Sequence, residues 1–444
     1  MSARLSDGDI ALIAEQVWPR ATGPDFRATG SQVVDEGWIE VEHYSVLGRR
    51  GRVEMVYAGR PVAAARALLA YTRLRPRSRR LSRWGAAVIL LATSIRPRVI
   101  ALHRRIDTPP QASARPGQML TARQQLERML ETDIGVLCPV RRSANRKALL
   151  QVFDRRGTTL GYAKVARNDA SAAGLRAEAT ALRGADITST LVRWPLIRTE
   201  GYVHGLPLLM TEPLPRDIGF VGPGAQETPS AAEFAALSPV ARWGVPAETR
   251  HVEGMRRRAA DLVCGDAGAS AVLPTLDALL TSIDAATDVV PVASRWHGDF
   301  AFWNVGRERN GTLWCWDFEN VDEDVIAGMD AVHWHASRRR ATLGAAAIGD
   351  IEGILADARP MLRAFGVGGE ERERLVYRVY ISEIVLRTLE AANDDGWTNT
   401  WTDEGSLAVI ARIALTSVDA RSTCHTDGDL SVPGSQRETE SGTR

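Results

Sequence analysis

Lysine is nearly missing from this chain. Among 444 residues only Lys147 and Lys164 are lysines, against 53 arginines. A bias of that kind follows genome composition, and it makes each lysine worth a separate explanation. Cysteine is also scarce. Cys138, Cys264, Cys315 and Cys424 are scattered, with no C-x-x-C pair and no zinc spacing. That argues against a disulfide framework and for a reducing, cytoplasmic compartment. Long apolar runs are absent too. The best, WGAAVILLATSI from Trp84 to Ile95, has 12 residues, short of the roughly 20 that cross a bilayer. No apolar region of a signal peptide opens the chain. Net charge is +1, so no global electrostatic case for a nucleic-acid partner exists.

What is present is a soluble globular composition, 45% apolar and 25% charged, in a chain long enough for two or three domains. Residues 1–107 read as a small α/β domain: a helix at DIALIAEQVW, strands at VEHYSVLG and RVEMVYAG, then helices from PVAAARALLAYTR onward. A Pro/Gln/Ser linker follows at 108–118. From 119 the pattern gives five strands with one helix, including the strand–turn–strand KALLQVFD–RRGTT–LGYAKVAR. After Pro215 it turns mostly helical, with a small strand pair. The polar, Gly/Ser/Thr-rich residues 421–444 read as a disordered tail. The part from 119 to 420 is thus a two-lobed α+β arrangement.

The stretch RWHGDFAFWN, residues 295–304, crowds His297, Asp299 and Asn304 into one turn-forming run among aromatics. Asp317, in LWCWDFEN, lies 13 residues beyond Asn304. An Asp–Asn loop followed by a hairpin that returns a second Asp is how phosphoryl-transfer enzymes build a Mg-phosphate site. Oxygen donors are demanded because Mg is a hard cation of octahedral preference. Upstream, YAKVA puts Lys164 inside an apolar strand, where an unpaired charge is costly. Glu178, 14 residues on in the helix LRAEATALR, is a ready partner. The plainer reading of HGD is a simple turn, since Asp, Asn and Gly favour turns. The agreement of these independent upstream signals weighs against it.

HGDFAFWN followed by WDFE resembles the aminoglycoside phosphotransferase and choline-kinase-like branch of the protein-kinase-like fold, over roughly residues 119–420. The resemblance implies a β-rich N-lobe at 119–215, a helical C-lobe at 216–420 carrying the catalytic loop, and ATP and Mg2+ as cofactors. It implies Asp299 as catalytic base, Asn304 and Asp317 as Mg ligands, and Lys164 with its partner Glu178 on the nucleotide phosphates. His297 and Asp330, the latter in GMDAVHW, are implied as structural support of the loop. The adenine hinge falls on LPLLMTEPLP, with Met210, Thr211, Glu212 and Leu214 facing the nucleotide through their backbone. Pro213 departs from the pattern because it has no N–H to give. The phosphate-covering loop falls at 141–146 and contains no glycine, so Ser143, Asn145 and flanking arginines stand where backbone amides usually approach phosphates. Glu319 replaces the glycine of protein kinases, and no activation segment follows. Both point to a small-molecule acceptor: a hydroxyl of a sugar, an aminoglycoside-like compound or an amino alcohol.

Acids for a cationic acceptor exist (Asp350, Glu352, Asp357, Glu370), but surface helices carry such residues anyway. Between Gly48 and Ile106 stand 15 arginines and one acid, Glu54, a local net of +14. That surface fits an anionic membrane touched peripherally, nucleic-acid phosphates or an acidic protein; the plainer reading is a solvated, arginine-rich face. A nucleotide-binding pseudokinase scaffold, working through this basic domain at membrane-linked polysaccharide synthesis, is the second functional reading. No nucleic-acid partner is expected.

Overall fold

The computed structural model describes residues 5–18, 26–30, 36–49, 52–74, 77–92, 97–105, 120–140, 147–184, 189–223, 228–262, 267–395, 406–407 and 409–414. The linker (108–118), the phosphate-covering loop with Ser143 and Asn145, and the tail (421–444) lie outside them.

The N-terminal part comprises α1 (Asp7–Val17), β1 (Phe26–Thr29), β2 (Trp38–Arg49), β3 (Arg52–Tyr57), α2 (Pro61–Leu69), α3 (Arg77–Ala92) and β4 (Arg98–Arg105). Next come α4 (Ala122–Leu130), β5 (Ile134–Pro139), β6 (Lys147–Asp154), β7 (Thr159–Ala166), α5 (Asp169–Gly184), β8 (Val192–Arg193), β9 (Ile197–Val203) and β10 (Leu206–Thr211). The C-lobe holds β11 (Gly219–Phe220), α6 (Ala231–Leu237), β12 (Val240–Gly244), α7 (Arg250–Asp261), α8 (Ala267–Asp284), β13 (Val290–Trp296), β14 (Val305–Arg307), β15 (Leu313–Cys315), β16 (Asp322–Ile326), α9 (Met329–Leu343), α10 (Ile351–Ala364) and α11 (Glu370–Asp395).

The boundaries drawn from the sequence separate residues 1–107 from the N-lobe, yet backbone hydrogen bonds join them. One nine-stranded sheet runs in the order β1-β4-β2-β3-β5-β6-β7-β10-β9, and the seam is β3 against β5, Val56 opposite Leu137 and Tyr57 opposite Val136. Side chains cross the same seam. Glu42 on β2, 5% exposed, accepts from Trp18 Nε1 at 2.6 Å and is ion-paired with Arg123 on α4. A buried carboxylate needs such partners, so α1, β2 and α4 are held as one piece. Both faces of the sheet are covered. Helices α1 and α4 pack on one face through Ile13, Val17, Trp18 and Leu126, and α2 and α3 pack on the other through Ala64, Leu68, Ala87 and Leu90.

The hairpin β6–β7 forms where Asp154 Oδ1 accepts from the N–H groups of Arg156 and Thr158, both at 2.8 Å, the side-chain turn for which Asp is favoured. Helix α5 buries Ser171, Ala172, Leu175, Glu178, Ala179 and Leu182, a stripe at helical spacing with a single charge on it. The C-lobe carries more strand than the expected pair: β11, β14 and β15 form a four-stranded sheet with β8 of the preceding lobe, and β12, β13 and β16 form a three-stranded one. Segments of two or three residues such as β8, β11, β14 and β15 are too short to show a period of two, so tertiary pairing defines them. The largest core cluster of the described residues lies here, around Trp334, Tyr377, Tyr380 and Leu386.

Candidate active site

Both lysines of the chain arrive at one carboxylate. Lys164 leaves β7 to donate to Asp317 Oδ1 at 2.8 Å and is ion-paired with Glu178, the one charge on the buried stripe of α5. Lys147, the first residue of β6, donates to the same Asp317 oxygen at 2.8 Å and is ion-paired with Glu319. Burial disfavours the Lys147 ammonium, but the Asp317 and Glu319 carboxylates outweigh it and hold its pKa above the ordinary lysine value. For Asp317, burial works toward the neutral acid, and Lys164 and Lys147 overcome it, so the carboxyl stays well below the usual range. Glu319 is shifted the other way, upward, by burial and by the neighbouring Asp317 charge. Asp317 itself stands at φ 76 just after β15, a left-handed conformation that Asp tolerates better than most residues.

Of these groups Lys164, Glu178 and Asp317 line a cavity of 340 Å³ between the lobes. Thr211 and Leu214, two of the residues expected at the hinge, line it, as do Val140, Leu149, Phe302 and Trp303. Met210 is fully buried in the sheet core, and Glu212 is exposed, its N–H given to Leu196 O at 2.8 Å. Neither lines the cavity. The N-terminal part contributes a wall of its own: Ala70, Tyr71 and Leu74. Tyr71 Oη donates to the hinge carbonyl of Leu214 at 2.5 Å, and its ring meets Tyr162 at 5.9 Å. Burial pushes the Tyr71 hydroxyl up to about 12, so it remains a donor.

The loop from His297 to Asn304 is fixed from below by α9. Asp330, in the first turn of α9, accepts from His297 N at 2.9 Å, Gly298 N at 3.2 Å and Ser238 Oγ at 2.7 Å. Gly298 has φ +80, and a Cβ there would lie 2.1 Å from Asn320 O, so the approach of the two loops requires glycine. His297 Nδ1 accepts from Asp299 N at 3.3 Å, which leaves Nε2–H to donate to Trp316 O at 3.1 Å. Burial lowers the pKa of this imidazole, so the ring is a neutral brace. Asn304 donates through Nδ2 to Asp299 O at 3.0 Å and Oδ2 at 2.7 Å. The other oxygen, Oδ1, meets His333 Nε2 at 3.1 Å, and His333 Nδ1 lies 3.3 Å from Tyr380 Oη. Arg387 on α11 donates to Gly298 O at 2.8 Å and Asn320 O at 3.3 Å, tying the loop to the segment after Asp317.

Four residues of this arrangement escaped the sequence reading. Lys147 was marked by rarity alone, but it adjoins a loop with no pattern of its own. His333 lies one turn after Asp330, a spacing that puts both on one face of a helix. Tyr71 and Arg387 carried no local signal. The aromatics of the loop divide. Phe300 packs against Phe234 and Trp334 at 5.3 and 5.5 Å, wedging the loop onto the helical lobe, while Phe302 and Trp303 line the cavity. The acids considered for a cationic acceptor are all engaged by arginines: Asp350 and Asp357 by Arg339, Glu352 and Glu370 by Arg374.

A strand-rich lobe with a buried Lys–Glu pair and a helical lobe presenting the Asp299–Asn304 loop and Asp317 make up a two-lobed, protein-kinase-like fold. No protein-family model and no curated protein matches the sequence. Among solved structures, the chain is similar to a choline kinase from Streptococcus pneumoniae, at 12% identity over 66% of this chain and 97% of that one, TM-score 0.45. It is similar to a candidate fructosamine-3-kinase from Haemophilus somnus, at 12% identity over 66% and 96%, TM-score 0.42. A third is the APH(2″)-IIa protein in ternary complex with streptomycin and ATP, at 9% identity over 67% and 95%, TM-score 0.40.

Proposed function

We propose that this protein transfers the terminal phosphoryl group of ATP to a hydroxyl of a small molecule. The observation that carries the reading is the convergence of Lys147 and of Lys164, itself paired with Glu178, on Asp317 in the wall of the interlobe cavity, which the loop of Asp299 and Asn304 also joins through Phe302 and Trp303. Two ammonium groups and a carboxylate held ionised are what a triphosphate with a divalent cation requires. Thr211 and Leu214 would flank the base, with Leu214 N–H standing where Pro213 has none.

The donor set fits Mg2+. Asp317, its carboxyl held well below the usual range by Lys164 and Lys147, would bring an anionic oxygen ligand, and Asn304, whose amide nitrogen is given to Asp299, would turn its amide oxygen to the ion. When bound, the ion would neutralise charge on the phosphates. Asp299 accepts the proton of the acceptor hydroxyl as the new O–P bond forms and the bond to the departing ADP breaks. His333 and Asn304 hold its carboxylate in place from either side. Positioning and electrostatics supply most of the acceleration in such chemistry.

The test is ADP release in the presence of a pool of cell-extract metabolites. Wild type should release ADP in a pool-dependent manner, and Asp299→Ala should abolish release while still binding nucleotide. Release by Asp299→Ala at the wild-type rate would remove Asp299 from the chemistry. Nucleotide binding with no turnover on any pool would move the chain to the scaffold reading.

A further inference from the structure

Helix α3 has two apolar faces, and only one of them is used. Ala87 and Leu90 point into the core formed with α2 and β3, and Arg83 reaches back on the same side to Leu68 O at 3.2 Å. On the opposite side Leu81, Trp84, Val88 and Leu91 are 76%, 54%, 59% and 57% exposed. Their spacing of three, four and three residues puts them in one row, and the one charged residue of the sequence from 81 to 91, Arg83, is turned to the other side and bound to Leu68 O. Val62, on the neighbouring α2, is 50% exposed as well. No other described helix presents such a row, and single exposed apolar residues elsewhere need no explanation.

The charge of the segment that carries the row points to its occupant. It sits in the segment 48–106 with its 15 arginines and one acid, in a chain whose net charge is +1. The positive charge is therefore concentrated in this segment of the sequence, with Arg77, Arg79 and Arg80 opening α3 itself, and the rest of the chain is net negative. A second copy of the chain docking row against row would bring two such positive surfaces together, at a repulsive cost. An anionic lipid surface meets both features. It takes an apolar row with a tryptophan at headgroup depth and is attracted by the arginines beside it. No described helix is long and apolar enough to cross a membrane, which fits a helix lying in the interface.

We infer that the exposed row Leu81–Trp84–Val88–Leu91 of α3 is a docking surface for an anionic membrane. The inference stands independently of the phosphoryl-transfer reading, but the two meet in space. The short helix Thr72–Leu74 that precedes α3, together with Tyr71, borders the interlobe cavity.

The experiment is cosedimentation of the full chain with vesicles of phosphatidylcholine alone and of phosphatidylcholine mixed with phosphatidylglycerol. Leu81→Glu/Val88→Glu and the uncharged Leu81→Ser/Val88→Ser are run beside wild type. Both positions are exposed, so near-ultraviolet circular dichroism and melting should match wild type. Wild type should sediment with the anionic vesicles and not the neutral ones, and raised salt should release it. Each double variant should partition at least about tenfold more weakly. Wild type left in the supernatant with anionic vesicles overturns the inference, and so do variants that sediment as wild type does. A mass measurement showing a dimer that both variants dissolve would give the row to a second copy and overturn it equally.

Discussion

Lys147 Nζ and Asp317 Oδ1 stand 2.8 Å apart although 170 residues of chain separate them. The contact joins the first residue after the glycine-free loop to the carboxylate that Lys164 also holds. On the proposed function, where a glycine-rich loop would offer backbone amides to phosphates, this chain would offer the Lys147 ammonium group that follows the loop. Lys147→Met leaves Asp317, Glu319 and Glu178 facing Lys164 alone. The dissociation constant for ATP with Mg2+ should rise at least tenfold, about 1.4 kcal/mol, and the fold should lose about 3 kcal/mol from the broken buried pair. Lys147→Arg should recover part of the stability and little of the affinity, because a planar fork does not replace a compact cation. Calorimetric titration and denaturant unfolding measure the two separately.

Tyr71 makes the N-terminal part a structural member of the cavity. Tyr71→Phe keeps the ring against Tyr162 and removes the hydroxyl that donates to Leu214 O and also meets the Thr159 side chain. One hydrogen bond to a hinge carbonyl is worth about 1 kcal/mol, so ATP should bind several-fold more weakly with melting almost unchanged. Equal affinity in the two proteins would reduce Tyr71 to packing.

Gly298→Ala should be far more damaging than its size suggests. A methyl at φ +80 and 2.1 Å from Asn320 O forces apart the two loops that Arg387 ties together. A loss of about 2 kcal/mol or more in unfolding free energy is expected, with ADP release falling below a tenth of wild type. Thermal melting and turnover on the same preparation check it.

Stability should fall in two distinct pH windows. Burial, with Arg338 close by, lowers the His335 imidazole to about 4. An unfolded histidine takes up its proton near 6.5, so stability is lost as pH drops from about 6.5 toward 4, by about 3 kcal/mol. For Glu383, burial opposes ionisation, and Arg387, His251 and Arg258 overcome it, bringing the carboxyl to about 2. That stability is complete above the ordinary glutamate value and is lost as pH falls from about 4.3 toward 2, again about 3 kcal/mol. His335→Gln should flatten the first window and Glu383→Gln the second, each in unfolding free energies measured at successive pH values.

The site was legible where its chemistry is local. HGD with Asn304, and Asp317 at its fixed interval, lie within 21 residues, and Lys164 betrays itself as a charge in an apolar strand. Lys147, Tyr71 and Arg387 were not legible, because each gains meaning only from a partner 170, 143 and 89 positions away respectively. The continuity of the sheet was hidden for a similar reason. The seam of β3 and β5 is two residue pairs long, and the composition of the intervening linker suggested a boundary that the hydrogen bonds do not respect. The short C-lobe strands lacked the length to show a pattern.

The central claim is that Asp317, between its two lysines, is the metal and phosphate end of a nucleotide site. Calorimetric titration of ATP, with and without Mg2+, into wild type and Asp317→Ala tests it most directly. Mg-dependent binding by wild type that Asp317→Ala loses is the predicted result. Binding that is unchanged in the variant, or absent from wild type at millimolar ATP, would contradict it.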